Sequence, residues 1–271
     1  MGFHGWSNAG NVASDTLLYL IEALQPRVAA TLYEEPFINY TIDRPVAQIE
    51  DGIIYDLDPM VAELSYWINS EGQHDVLLFL GKEPHLSWQA YSEMILDIVH
   101  RFGVQMLYTI GGLQDTVSHA GPTVVTAVGS NPSVIAGVMS LDRGIKAAAY
   151  YGPVSIHSRL VKACTDAGVQ AASLWGHVPA YLQKSPRVVA KLISILGKAT
   201  GLRCSIEALK RRSLDLDRKI KEALARDPDL KQYVEAIEQK ENSRSTSSRD
   251  DNIIHLNDFF LRKNSQKDPE S

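Results

Sequence analysis

From residue 76 onward, apolar runs of strand length alternate with longer segments whose apolar residues recur every three or four positions. This alternation constrains the fold more than any other feature of the chain. Val76-Leu77-Leu78-Phe79-Leu80 is apolar without interruption, as in a strand covered on both faces. Ser87 stands as an N-cap, and Trp88, Tyr91, Ile95, Ile98, Val99 and Phe102 form the stripe of a helix that Gly103 ends. Further strands are expected over 104–110, 123–128, 147–151 and 169–175, and helices over 155–167 and 186–200. Short connections between parallel strands cannot be hairpins, so strands joined by helices predict a mostly parallel sheet with helices on both faces.

The N-terminal part reads differently. Leu17, Leu18, Ile21 and Leu24 mark a helix over 13–24 that Pro26 stops, and 28–33 is strand-like. Segments 36–41 and 46–55 follow, the second containing Asp51-Gly52 between apolar flanks. A type I′ turn needs positive φ at both central residues, so this pair predicts a hairpin, an antiparallel addition to the sheet.

After Leu202 the composition shifts toward charge. Ile206, Leu209, Leu216, Ile220 and Leu224 keep a seam on a charged helix, and Asp227-Pro228 restarts a second helix with Leu230, Tyr233, Val234 and Ile237 on its apolar face. Residues 241–251 are Ser/Arg-rich and expected to be disordered, with a short apolar island at 253–261 able to dock on a partner or on the body. The expected organisation is an α/β domain over 1–203, a charged helical extension over 204–240 and a tail over 241–271.

A net charge of -5 gives no reason to expect nucleic acid or an acidic membrane as partner. No apolar run approaches the roughly 20 residues that span a bilayer, and the first residues lack the basic-then-apolar pattern of a secretory signal. Cys164 and Cys204 are read as buried small apolar groups in a reducing compartment. Cytoplasm is the expected location.

Ligands of open α/β sheets gather at the carboxyl ends of the strands. Four junctions there are rich in Gly, Pro and polar residues: 2–10, 81–84, 111–116 and 176–179. The candidate cleft is Trp6, Ser7, Asn8, Gly111, Gly112, Asp115, His177 and Tyr181. Gly2, Gly5 and Gly10 miss the dinucleotide spacing, no Gly-Lys-Ser/Thr closes a phosphate loop, and the glycines read as turn-formers. Ser7, Ser118 and Ser158 lack a nucleophile elbow, and His4, His119, His157 and His177 lack metal-ligand spacing. Glu83 and Asp115, each at a strand end, are read as helix caps rather than general bases. No catalytic residue, metal or cofactor is assigned.

Three stretches together resemble the proteasome-assembly-chaperone-like family: 2–10 leading into a helix, Gly111-Gly112 closing a strand, and 168–182 with its Val178-Pro179-Ala180-Tyr181 loop. The resemblance spans residues 1–202. It implies a three-layer α/β sandwich of phosphorylase/hydrolase-like type, a homo-oligomer, and action as an assembly factor or binding partner of proteasome α-subunits. Some archaeal members end in a hydrophobic-Tyr-any motif that inserts between those subunits. This sequence ends Pro269-Glu270-Ser271, which argues against proteasome subunits as its partner. Members also carry an apolar strand before the Gly-Phe-x-Gly-Trp turn, where this sequence has Met1, so a longer N-terminus is expected to be more stable.

Two functions follow. One is a non-catalytic, oligomeric assembly chaperone or scaffold, favoured by the resemblance and by the lack of a catalytic constellation. The other is a small-molecule binder or enzyme using the loop cleft. A cavity lined jointly by Asn8, Asp115 and His177 would favour the second, and a filled edge the first.

Overall fold

The computed structural model describes residues 1–70, 72, 74–246 and 253–254. The chain begins with strand β1 (Gly2–His4), a 3-10 turn at Ala9–Asn11 and helix α1 (Val12–Leu24), followed by β2 (Arg27–Tyr33). Then come β3 (Ala47–Glu50), β4 (Ile53–Leu57), β5 (Val61–Trp67), β6 (Val76–Lys82), α2 (Trp88–Arg101) and β7 (Met106–Asp115). The second half holds β8 (Val125–Gly129), α3 (Pro132–Leu141), β9 (Ile145–Ala147), β10 (Ala149–Tyr150), α4 (Ile156–Asp166), β11 (Gln170–Pro179) and α5 (Pro186–Thr200). The extension supplies α6 (Glu207–Arg226) and α7 (Pro228–Thr246), and β12 (Ile253–Ile254) pairs in parallel with β10.

The main sheet has eight strands in the order β2-β5-β6-β1-β7-β11-β8-β9. β6, β1, β7 and β11 run parallel through its centre, while β5 and β8 join antiparallel on either side. One face is closed by α1, α3 and α5 through Leu17, Leu20, Val138, Leu192 and Ile195, all essentially without solvent contact. The other is closed by α2 and α4 through Tyr91, Ile95, Ile156 and Leu160, around Phe3 and Phe79. Each such side chain contributes roughly 1.5–3 kcal/mol by leaving water. The result is the three-layer sandwich with a mostly parallel sheet. β1 holds the central position although only three residues long, Met1 donating its amine to the Tyr108 carbonyl at 2.7 Å.

The hairpin forms at its Asp-Gly signal, with φ of 49° at Asp51 and 78° at Gly52. It does not extend the main sheet, however. β3 and β4 make a separate two-stranded sheet, and the antiparallel additions at that edge are β2 and β5. Two elements add to those expected from the sequence: β5, with Ala62 and Leu64 buried and Glu63 exposed, and α3, which Asn131 caps by accepting the Val134 N–H. Ser87 precedes α2 as expected, but with a φ of 52° and no side-chain cap. Cys164 is buried while Cys204 is only partly so, and both are free thiols. α7 continues to Thr246, so the start of the Ser/Arg-rich segment is helical; 247–252 and 255–271 lie outside the described residues.

The largest difference concerns glycines. Gly111-Gly112 and Gly176 lie inside strands, which run on to Asp115 and Pro179 in unbroken parallel register from Met106↔Gln170 to Asp115↔Pro179. They serve close approach rather than turning. A Cβ on Gly111 would stand 2.7 Å from the Trp175 ring, one on Gly112 2.4 Å from the Ala9 carbonyl oxygen, and one on Gly176 2.3 Å from Val188 Cγ1.

Candidate functional site

Two polar chains occupy the carboxyl edge of the sheet. The first starts in the turn after β1, where Gly5 has a φ of 123° and its carbonyl accepts the Asn8 amide. Buried Ser7 donates its hydroxyl to Glu83 Oε2 at 3.4 Å and meets His157 Nε2 at 3.0 Å. Glu83 also accepts from the Ser7 and Ile156 amides, which binds the β1 turn to the start of α4. With Ser7 donating to Glu83, Nε2 of His157 carries the proton, and its unpartnered Nδ1 is the bare nitrogen. His157 packs edge-on to Phe3 and tilted against Trp175. Burial, and then the nearby N-terminal amine, push its pKa down to about 3, so the ring is neutral. The carboxylate here accepts the hydroxyl's hydrogen bond instead of orienting the imidazole, the reverse of the order that activates a nucleophile.

The second chain has the activating order. Asp115 Oδ2 meets His177 Nδ1 at 2.8 Å, and His177 Nε2 meets Thr126 Oγ1 at 3.0 Å. β7, β11 and β8 lie side by side and set these three side chains in line. Carboxylate, imidazole and hydroxyl in that order can orient the ring and withdraw the hydroxyl proton.

The other sequence-named residues are dispersed. Asn8 accepts the Ala13 and Ser14 amides at the start of α1 and bridges to Gly112. Trp6 is half exposed. Tyr181 accepts the His119 amide at 2.8 Å and meets its Nδ1 at 2.7 Å, burial raising its phenol above the ordinary range. Of the eight, the structure joins Asp115 to His177, and both Ser7 and Asn8 to Gly112, whose amide donates to the Ser7 carbonyl at 2.8 Å. Thr126 has no motif around it, and Glu83 and His157 meet Ser7 across 76 and 150 residues, so no local signal announces either chain.

The PAC2 family model matches residues 2–224, past the expected limit of 202 and into α6. The chain belongs to the PAC2 family. Solved structures agree with that placement. A Streptomyces avermitilis PAC2 family protein is 28% identical, with a TM-score of 0.75 over 86% of this chain and 97% of its own. A Corynebacterium glutamicum protein of unknown function is 26% identical, with a TM-score of 0.80 over 91% of each chain. The Mycobacterium tuberculosis proteasome-assembly chaperone homologue Rv2125 is 24% identical, with a TM-score of 0.76 over 86% of this chain and 98% of its own. No curated protein matches.

In this PAC2 chain the sheet edge is capped by the extension. Glu241 accepts the Ser118 amide and Glu238 the Ser118 hydroxyl, each at 2.9 Å. Tyr233 of α7 stands edge-on to Tyr181, and Asp217 of α6 pairs with Arg187, which donates to the His119 carbonyl. Beneath these contacts lies a cavity of about 20 Å³, lined by Ser118, His119, His177, Arg187 and Asp217 among others but not by Asn8 or Asp115. That space suits one water. Among the described residues no group of three or more His, Cys, Asp or Glu could hold a metal ion, and no helix is long and apolar enough to cross a membrane.

Proposed function

We propose that this PAC2 chain is a non-catalytic protein-binding factor that works in the cytoplasm as an oligomeric assembly chaperone or scaffold. The filled sheet edge carries this reading. Its polar side chains pair with one another and with α7, and the space left takes a water, not a metabolite. The likeness to a proteasome-assembly chaperone homologue supports the same class of role. The test is recovery of partners by crosslinking the intact chain and a chain lacking 204–271 in extract of its source, read by mass spectrometry. Assembly of the recovered subunits is then followed with and without the chain. Subunits of one complex, assembling faster in its presence, are expected; no reproducible partner, or an unchanged assembly rate, would overturn the reading.

The Asp115–His177–Thr126 order favours a second reading, an acyl-transfer enzyme with Thr126 as nucleophile. An activated ester would then label Thr126, and His177→Gln would abolish the labelling. Absence of labelling on the intact chain sinks this alternative.

A further inference from the structure

We propose that the β3–β4 hairpin is an arm by which one copy of this chain grips the α6 face of the next. Every residue of both strands is exposed, and the hairpin belongs to no larger sheet. Val46, Ile49, Ile53, Ile54, Tyr55 and Leu57 are each 57–73% exposed. A lone two-stranded hairpin is marginally stable in water, so an arm of this composition needs a surface to lie on.

Size and chemistry point to a second copy. The six side chains show on the order of 600 Å² of apolar surface over the two faces of the hairpin, at the upper end of what a monomer leaves open and approaching the roughly 800 Å² each partner gives to a standard interface. Ile49 and Ile54 pair on one face of the hairpin, with Ile53, Tyr55 and Leu57 on the other, and apolar surface of this extent suits permanent contacts between like subunits. The arm's charges then decide what it meets. Glu50, Asp51, Asp56 and Asp58 are acidic, and no Lys, Arg or His lies between Val46 and Asp58. Two arms face to face would bring those carboxylates together, so the contact is arm to body.

The complementary surface is on α6. Leu214 is 68% exposed there, and of the residues three, four or seven positions away four are basic (Lys210, Arg211, Arg218 and Lys221) and two acidic (Glu207 and Asp217). Lys210 pairs with Glu207 and Arg218 with Asp215, so Arg211 and Lys221 carry the net positive charge of the rim. An apolar, acidic arm fits an apolar, basic-rimmed face.

The inference rests on the oligomeric part of the proposed function, and its experiment separates the two. Light scattering behind gel filtration, over a dilution series, gives the mass of the full chain and of Ile49→Lys/Ile54→Lys. The full chain is expected to be multimeric and the variant monomeric, with an unchanged far-UV spectrum because the substituted side chains are already in water. A monomeric wild type overturns both the inference and the oligomeric reading. A multimer that survives the arm variant overturns the arm alone. Charge reversal tests the α6 half: Glu50→Lys/Asp56→Lys and Arg211→Glu/Lys221→Glu should each weaken association about tenfold, and together restore it to within about threefold. Failure of that rescue removes α6 as the seat. Protection of the arm only when a different purified protein is added would assign it to that protein instead.

Discussion

The sheet edge around His177 and the β3–β4 arm differ in how each meets its own needs. At the edge, polar groups from β7, β8, β11 and α7 satisfy one another, down to the Ser118 amide taken up by Glu241. On the arm, the apolar side chains are exposed among the described residues. A conventional search for function looks to the strand ends, because backbone groups and loops converge there. Here that region behaves as a joint, and the unmet demand lies on the arm. Variants of the edge should therefore cost stability and leave association unchanged, and variants of the arm the reverse.

The largest effect expected at the edge comes from Gly112→Ala. Its Cβ would lie 2.4 Å from a backbone oxygen at the turn into α1, which cannot rotate away, and a loss of about 3 kcal/mol in denaturant unfolding is expected. A loss under about 1 kcal/mol would mean that the β1 turn yields freely and the edge is not a rigid joint. Next comes His157. Its imidazole titrates near 6.5 when unfolded and near 3 when buried, so the unfolded chain binds the extra proton. Its contribution is whole above pH 6.5 and is lost as pH falls toward 3, amounting to about 2 kcal/mol by pH 5. His157→Gln should flatten this limb of the stability profile whatever it does at pH 8. An unchanged slope would show that His157 is protonated in place and the Ser7 chain is open to water.

Much of the framework was legible in local sequence. Pro186–Thr200 has the expected bounds, and Asp51-Gly52 turns as its φ preference demands. In both, neighbours in sequence carry the signal. Gly111, Gly112 and Gly176 read as the ends of strands because a glycine's backbone freedom is a local property. Their actual use, making room for Trp175, Ala9 and Val188, depends on elements brought together only by folding. The same holds for the two polar chains. Asp115 and His177 were legible one by one as polar residues at strand ends, but Thr126 joins them only through the order β7-β11-β8. The arm's turn was visible, whereas its separation from the sheet was not, because alternation cannot tell a buried face from one waiting for a partner.

A smaller effect is expected at the base of the arm. Glu34 follows β2, donates its amide to the Met60 carbonyl and accepts the Lys82 amide on Oε1. Burial raises its carboxyl from 4.5 to about 7, against the opposing pull of the Lys82 amide. The folded chain therefore holds the proton more tightly. This contribution is whole below pH 4.5 and is lost as pH rises through 7. Glu34→Gln should be more stable than the wild type at pH 8, by about 1 kcal/mol after solvent screening is allowed for, and equal to it at pH 5. No gain at pH 8 would mean that water reaches the carboxylate and the arm's base is as open as its tip.

The smallest expected effect tests the cap itself. Glu238→Ala/Glu241→Ala removes the two carboxylates that hold Ser118, while Val234 and Ile237 of α7 stay buried. Global unfolding should change by about 0.5 kcal/mol or less, because α7 can open locally without the sheet. Hydrogen exchange should instead quicken at the Ser118 amide and along 228–246, with the strands of the sheet unaffected. Unchanged exchange at Ser118 would show that its protection comes from the loop and not from α7. The edge would then be closed by the family's α/β body alone, and α7 would have to be grouped with the arm as surface still seeking a partner.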